Sequence, residues 1–294
     1  MTRLGIIGMS EGNGHPYSWS AICNGYDARA MEDCGFAAIP RYLEKRSWPR
    51  DRLPKTVVTH VWTQDRDRAA HIAKAALIEH VVNQPEAMIG VIDGLLLARD
   101  DAENHARFAV PFLQAGIPVY VDKVPALSVA EFESLVSAQK RSGLLFSGTA
   151  LHYARELTLD AASRQAIGPI RHIFGITPKS WDRYAVHVIE PAMLLGNSGA
   201  AKSVRNWANG SARGLDVVFE NGTQAHFAAL GDVGAPISLR VIGEKDWRDL
   251  VFADSFSCFR SALSEFVTGI REGCSRSDLD FLRRVVGLVE HGRA

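Results

Sequence analysis

The chain has 294 residues, 47% of them hydrophobic and 22% charged, enough for a substantial core and for two domains. Lys plus Arg and Asp plus Glu each number 33, and the zero formal net charge speaks against nucleic acid or an anionic membrane as the main partner. No apolar run approaches the roughly 20 residues that cross a bilayer, and residues 4–7 are too short for a signal peptide. A cytoplasmic protein is therefore expected. Its four cysteines (Cys23, Cys34, Cys258, Cys274) agree, being scattered with no C-x-x-C pair.

In chain order, residues 4–7 read as a buried strand, followed by a glycine-rich loop over 8–14 and a helix over 17–24. The β-branched run 57–62 predicts the next strand, and alanines at helical spacing predict a helix over 67–77. A short buried run at 95–98 precedes a helix over 102–115 that stops at Gly116. Residues 119–121 form another strand, and Ser128 with Glu131 makes a capping box that starts a helix over 128–141. Residues 144–147 close the series. Continuously apolar strands alternating with helices mean a parallel sheet buried on both faces. Residues 1–150 are thus expected to form a doubly wound α/β domain.

The period then changes. Strands are expected over 170–177, 203–208, 215–219, 224–230, 239–242 and 247–252, and Asn221-Gly222 marks a hairpin because it accepts positive φ angles. Helices over 256–271 and 277–290 finish the chain. Residues 151–294 are therefore expected to form an α+β domain with a mostly antiparallel sheet.

Three places could carry chemistry. Gly8-Met9-Ser10-Glu11-Gly12-Asn13-Gly14 and the following His15 lie in the first strand-to-helix turn, where a helix N-terminus holds a pyrophosphate. The spacing is not G-x-G-x-x-G, since Ser10 and Asn13 replace two glycines, and a plain tight turn is the competing reading. At the tip of the second strand Thr63 stands where an acid often binds the ribose; Asp65 is two residues late, and Arg66 and Arg68 could face a 2′-phosphate. The cofactor is accordingly NAD or NADP. Lys123, in Asp122-Lys123-Val124-Pro125, ends a buried strand at the ligand-binding edge of such a sheet. Further on, His187 and Glu190 share a helix face at a three-residue spacing, a possible but common metal pattern, and no metal is expected.

These pieces, in this order, resemble the Gfo/Idh/MocA family of oxidoreductases over most of the chain. Asp122-Lys123-Val124 stands at the family's E-K-P motif, Ala98 and His105 fit its fourth strand and helix, and residues 259–266 resemble its late helix. The resemblance implies a Rossmann domain followed by a substrate and oligomerisation domain. It implies hydride transfer between nicotinamide and a carbinol or keto carbon of a sugar, cyclitol or sugar derivative. Lys123 would hold the substrate hydroxyl and the cofactor, and His187 would accept the hydroxyl proton, a task suited to imidazole. Four residues before His187, where the family has Asp, this chain has Arg183, with Asp182 one step earlier as the candidate acid. Gly8, Ser10, Gly12, Asn13, Gly14, His15, Thr63, Asp65, Arg66, Ala98 and Lys123 would line the cofactor. Trp181, Arg183, Tyr184, His152 and Tyr153 would meet the substrate, Trp181 and Tyr184 by stacking on a sugar ring. A homodimer or homotetramer through the exposed face of the second sheet is expected. The alternatives are a dinucleotide-binding sensor without turnover and a glycoside-cleaving enzyme that oxidises its substrate transiently.

Overall fold

The computed structural model describes residues 1–293, which divide into two compact units. The first holds Met1–Pro125, Glu133–Ser147 and Ser255–Ser277; the second holds Ala126–Phe132, Gly148–Asp254 and the chain from Asp278 onward.

The chain begins with β1 (Thr2–Ile7), buried at every position but Arg3, and α1 (His15–Asn24). Two short helices, α2 (Ala28–Glu32) and α3 (Ala38–Leu43), precede β2 (Thr56–Trp62). Then come α4 (Arg66–Ala75), the two-residue β3 (His80–Val81), β4 (Gly94–Leu97), α5 (His105–Ala115), β5 (Val119–Val121), α6 (Val129–Ser137) and β6 (Leu145–Ser147). Strands β4, β5 and β6 are buried throughout, as their unbroken apolar runs require. All six strands are parallel, in the order β3-β2-β1-β4-β5-β6. That order reverses direction between β1 and β4, and ligands of such sheets bind beyond the carboxyl ends of the strands at that switch.

The α2–α3 segment has no counterpart in the sequence reading, because five- and six-residue helices are too short to show an apolar period. Helix α1 is buried at nine of its ten positions, chiefly against β2, α4 and the late helix Ser255–Glu272. Ile39 and Phe36 reach to 2.6 and 2.8 Å from where a Cβ on Gly14 would stand, so the segment packs on the start of α1 and only glycine fits there.

The remaining elements are α7 (Ala161–Ile167), β7 (Ile170–Thr177), α8 (Trp181–Tyr184), α9 (Val186–Leu195), β8 (Ala201–Asn209), β9 (Ala212–Phe219), β10 (Gln224–Ala229), β11 (Ser238–Gly243), β12 (Trp247–Val251), α10 (Ser255–Glu272) and α11 (Leu279–His291). The second unit's sheet runs β12-β11-β7-β10-β9-β8 and is antiparallel except where β10 lies parallel to β7. Asn221-Gly222 makes the β9–β10 turn, with Gly222 at φ 85°. Leu215, Val217 and Phe219 point to a core covered by α9, whose Val188 stands 2.9 Å from the place of a Cβ on Gly175. The opposite face is open, with Phe174, Trp207, Trp247 and Val251 exposed.

The last strand of the first sheet ends at Ser147 and the first strand of the second begins at Ile170, while α10, far along the chain, returns to the first sheet. It belongs to the first unit: Phe266 lies 5.7 Å from both the Tyr120 and Phe146 rings, and Gly94 leaves room for Ile270. An amphipathic helix shows in its sequence that it has an apolar face, not which sheet receives it.

Candidate active site

Each unit gathers its own polar cluster. In the first, the turn after β1 is tied to the ends of β4 and β5. The Asn13 amide donates to Asp122 Oδ2 (2.9 Å) while its carbonyl oxygen accepts from the His15 amide (2.8 Å). Asp122 Oδ1 accepts from the Lys123 amide (2.8 Å), and Asp122 Oδ2 lies 2.6 Å from His15 Nδ1. The His15 ring stacks on Trp19 at 4.9 Å and meets the edge of Phe259 at 4.9 Å. Burial by itself would raise the Asp122 carboxyl, but the His15 imidazole and the Lys123 ammonium outweigh it and hold this group below the usual carboxylate range.

Lys123 Nζ donates to Asp100 Oδ2 at 3.3 Å, with both side chains buried, and the Ser10 hydroxyl donates to Asp100 Oδ1 at 2.6 Å. Arg99 forks onto Asp101, its Nε at 2.9 Å, and its Nη1 donates to Gln64 Oε1 at 3.0 Å. Gln64 also clasps the loop backbone, accepting from Met9 N (3.1 Å) and donating to Met9 O (2.6 Å). His105, fully buried, links Arg99 O and Pro125 O, which fixes the ends of β4 and β5 to each other. Asp100, Asp101, Gln64 and the bond from Asp122 to His15 escaped the sequence reading. The one available signal was the charged run Arg99-Asp100-Asp101 directly after a buried strand.

A dinucleotide fits this cluster by one test in particular. Gly12 has φ 77°, a left-handed backbone that favours glycine, and nothing lies within 4 Å of the place a Cβ would occupy, so the loop surface there is open to a ligand. The tip of β2 differs from expectation. Asp65 is the N-cap of α4, accepting from Asp67 N (2.9 Å) and Arg68 N (3.2 Å), and Thr63 turns its hydroxyl onto Asp65 O. Arg66 donates to Asn83. The capping of α4 thus accounts for Asp65 without a ribose. Ala98 is buried and extends β4 by an amide bond to Ile7 O (2.9 Å).

The second cluster forms around α9. His187 Nδ1 lies 2.7 Å from Thr149 Oγ1, and Glu190 Oε2 accepts from the Thr149 amide at 2.9 Å. Glu190 Oε1 lies 3.1 Å from His152 Nδ1, and the His152 and Tyr153 rings stand 4.8 Å apart. The Tyr184 ring meets His187 edge-on at 5.1 Å, and Lys179 donates to the Tyr184 hydroxyl at 2.7 Å. His187, His152, Tyr153 and Tyr184 are thus brought together, joined by Glu190 and by Thr149. Thr149 and Lys179 had no signal in the sequence. Gly148, at φ 124°, lets the chain pass Glu190, since a Cβ there would lie 2.9 Å from Glu190 Oε1.

Two candidates fall outside. Trp181 is buried, donates its indole N–H to Val289 O (2.8 Å) and packs where a side chain on Gly292 would stand. Holding α8 against α11 leaves it no face for a sugar. Asp182 is exposed and paired with Arg293 (3.2 Å), beside a cavity of about 530 Å³ lined by Asp182, Arg213, Glu290 and Arg293. His187 therefore takes a hydroxyl where an acidic partner was expected. Arg183, on α8, is half-buried. Among the described residues no group of three or more His, Cys, Asp or Glu is arranged to hold a metal ion, and no helix is long and apolar enough to cross a membrane.

The Gfo/Idh/MocA family profile, that of an oxidoreductase family with an NAD-binding Rossmann fold, matches residues 34–149. Over that span the chain is similar to the NAD-binding Rossmann domain of this family, and the cofactor class is the nicotinamide dinucleotide that the resemblance implied. No curated protein sequence matches the chain. Its fold is shared with solved structures of low identity. UDP-N-acetylglucosamine 3-dehydrogenase GnnA from Acidithiobacillus ferrooxidans superposes with a TM-score of 0.72 at 14% identity, covering 99% of this chain and 96% of that one. Myo-inositol 2-dehydrogenase from Lactobacillus plantarum gives 0.73 at 13% identity, covering 98% and 95%. GenD2 from gentamicin A biosynthesis, solved in complex with NAD, gives 0.72 at 15% identity, covering 99% and 93%.

Proposed function

We propose that the protein is an NAD(P)-dependent oxidoreductase that moves a hydride between nicotinamide and the carbinol or keto carbon of a sugar, cyclitol or sugar derivative. The observation that carries this reading is Lys123, an ammonium buried at the carboxyl end of β5 and balanced by Asp100. The bound dinucleotide supplies the hydride acceptor. Lys123 donates to the carbinol oxygen as negative charge grows on it, the kind of preorganised stabilisation that outweighs other catalytic effects in a dry site. His187 takes the hydroxyl proton, Thr149 sets the orientation of its ring, and Glu190 fixes the Thr149 backbone. His152, Tyr153 and Tyr184 supply polar and aromatic contacts to the sugar-like substrate. The sugar and cyclitol dehydrogenases among the structural relatives support the substrate class.

The test follows nicotinamide absorbance with NADH and NADPH over a panel of keto-sugars and cyclitols, with binding measured separately by fluorescence. Turnover is expected for at least one member, and Lys123→Met and His187→Ala are expected to lose it while still binding cofactor. Variants that turn over like wild type would remove these roles. Arg183 in place of an acid, with Asp182 turned to Arg293, favours a second reading, a sensor that binds dinucleotide without turnover. Tight binding with no reaction on any panel member selects it.

The open face of the second sheet supports self-association. Phe174, Ile176, Ile242 and Val251 line a recess of about 560 Å³ beside the Arg240–Asp249 pair, a mixed surface suited to a second copy of this chain. Phe174→Glu is expected to convert the oligomer to monomer in sedimentation, and an unchanged mass would exclude this face.

A further inference from the structure

One charged cavity takes no part in the chemistry above. It encloses about 530 Å³ within the second unit and is lined by Asp182, Arg213, Glu290 and Arg293, none of which belongs to the cluster built around His187. Small-molecule cavities are mostly apolar with a few polar groups; here every lining residue is ionic, so a matching occupant must itself carry charge. Asp182 and Arg293 answer each other at 3.2 Å, and Arg293 Nη1 also donates to Leu127 O at 3.3 Å. The other two charges are left over. Glu290 Oε2 accepts from the Val129 amide at 3.0 Å, but among the described residues Glu290 meets no cation and Arg213 no acceptor.

The fold directs Arg213 into this cavity. Side chains alternate between the faces of β9, and Arg213 shares its face with Leu215, Val217 and Phe219, which are buried in the core under the helices. The residue thus ends a core-facing row, half-buried, where α8 packs on β9. Glu290 reaches the same cavity from the last turn of α11, which the Trp181 indole ties to α8 through Val289 O.

We propose that this cavity binds a small zwitterion of the α-amino acid class, with its carboxylate on Arg213 and its ammonium on Glu290. The planar guanidinium offers a carboxylate two parallel N–H donors, and Glu290 keeps Oε1 to accept from an ammonium while Oε2 holds Val129. A simple anion would satisfy Arg213 but share the cavity with the Glu290 carboxylate, and a simple cation would meet the reverse conflict with Arg213. A ligand bearing both signs meets neither, and the paired Asp182 and Arg293 add no net charge to the wall. The volume accommodates such a molecule with its side chain.

The proposal stands apart from the dinucleotide reading and is tested without turnover. Calorimetry on the intact protein, at neutral pH and low salt, titrates glycine, L-serine, L-leucine, L-glutamate and L-lysine. Each is compared with its N-acetyl derivative, which lacks the α-ammonium, and its amide, which lacks the α-carboxylate. At least one amino acid is expected to bind with a dissociation constant below about 1 mM, and both of its derivatives about tenfold or more weakly. Arg213→Gln and Glu290→Gln should each weaken the parent about ten- to hundredfold. Glutamine at position 290 keeps an oxygen for the Val129 amide, so an unchanged urea midpoint separates lost binding from lost folding. No binding of any amino acid at about 10 mM, or binding that neither variant alters, overturns the site. An N-acetyl derivative or an amide that binds as tightly as its parent overturns the zwitterion.

Discussion

The two polar clusters hold their key side chains by opposite means. In the first unit ions answer ions: Lys123 with Asp100 and Arg99 with Asp101. In the second, His187 rests on a neutral hydroxyl, and Glu190 is met by a backbone amide and a half-buried imidazole. Losing one partner therefore means different things in the two places. In the first it strands a buried charge, at about 3–5 kcal/mol. In the second it leaves a hydrogen-bonding group unmet, at about 1–3 kcal/mol. The charged cluster is stiff and costly to edit; the neutral one is cheaper to edit.

The harshest trial of this contrast is Lys123→Met. Turnover should fall by about 10²–10³-fold, and urea unfolding should show a loss of about 3 kcal/mol because the buried Asp100 loses the cation at its side. The double variant Lys123→Met/Asp100→Asn should recover most of the stability and none of the turnover. A single variant as stable as wild type would show that the buried pair is not the strong contact its geometry implies.

Thr149→Val probes the neutral side with nearly the same shape. Its expected cost is about 1–2 kcal/mol, from the lost contacts to His187 Nδ1 and to the Leu151 amide. With the ring less well held, kcat should drop about tenfold while KM stays put, and the pH profile of kcat should shift. An unmoved profile would reduce Thr149 to a packing residue.

The same contrast governs what the sequence discloses. Local patterns transfer directly: β-branched residues 57–62 lie within β2, Asn221-Gly222 turns β9 into β10, and the capping box forms, with Ser128 Oγ accepting from Glu131 N at 3.2 Å. Lys123 and His187 stand out because their residue types are rare at a strand end and on an apolar helix. Their partners do not, since Asp100 and Ser10 lie 90 positions apart and meet only once the sheet is ordered. Misreadings came from local roles that compete for one residue type. Asp65 serves as a helix cap where a ribose ligand was expected, and Trp181, flanked by polar residues like a sugar platform, is claimed by α11.

Acid should distinguish the clusters next. Asp122 has a folded pKa below its unfolded one, so its contribution is fully present above the ordinary carboxylate value and is lost as pH falls through the depressed folded value. Urea midpoints measured from neutral pH downward should therefore fall more steeply in wild type than in Asp122→Asn, whose curve begins lower. Parallel curves would mean that the charge on Asp122 adds nothing to folding.

The smallest effect comes from the thiols, all four of which lie in the first unit. Cys23, Cys34 and Cys258 are buried, Cys274 is exposed, and burial pushes Cys23 up to about 12. A maleimide should therefore modify one thiol in the native protein, and Cys274→Ser should abolish that signal, because the thiolate is the reacting form and burial disfavours it. With urea present, release of the other three reports opening of the first unit while the second contributes no thiol. Lys123→Met should bring that release to lower urea, and Thr149→Val should leave it nearly where it was. Equal shifts in both would mean that the charged and neutral clusters support a single cooperative fold, and the separation of their costs would be lost.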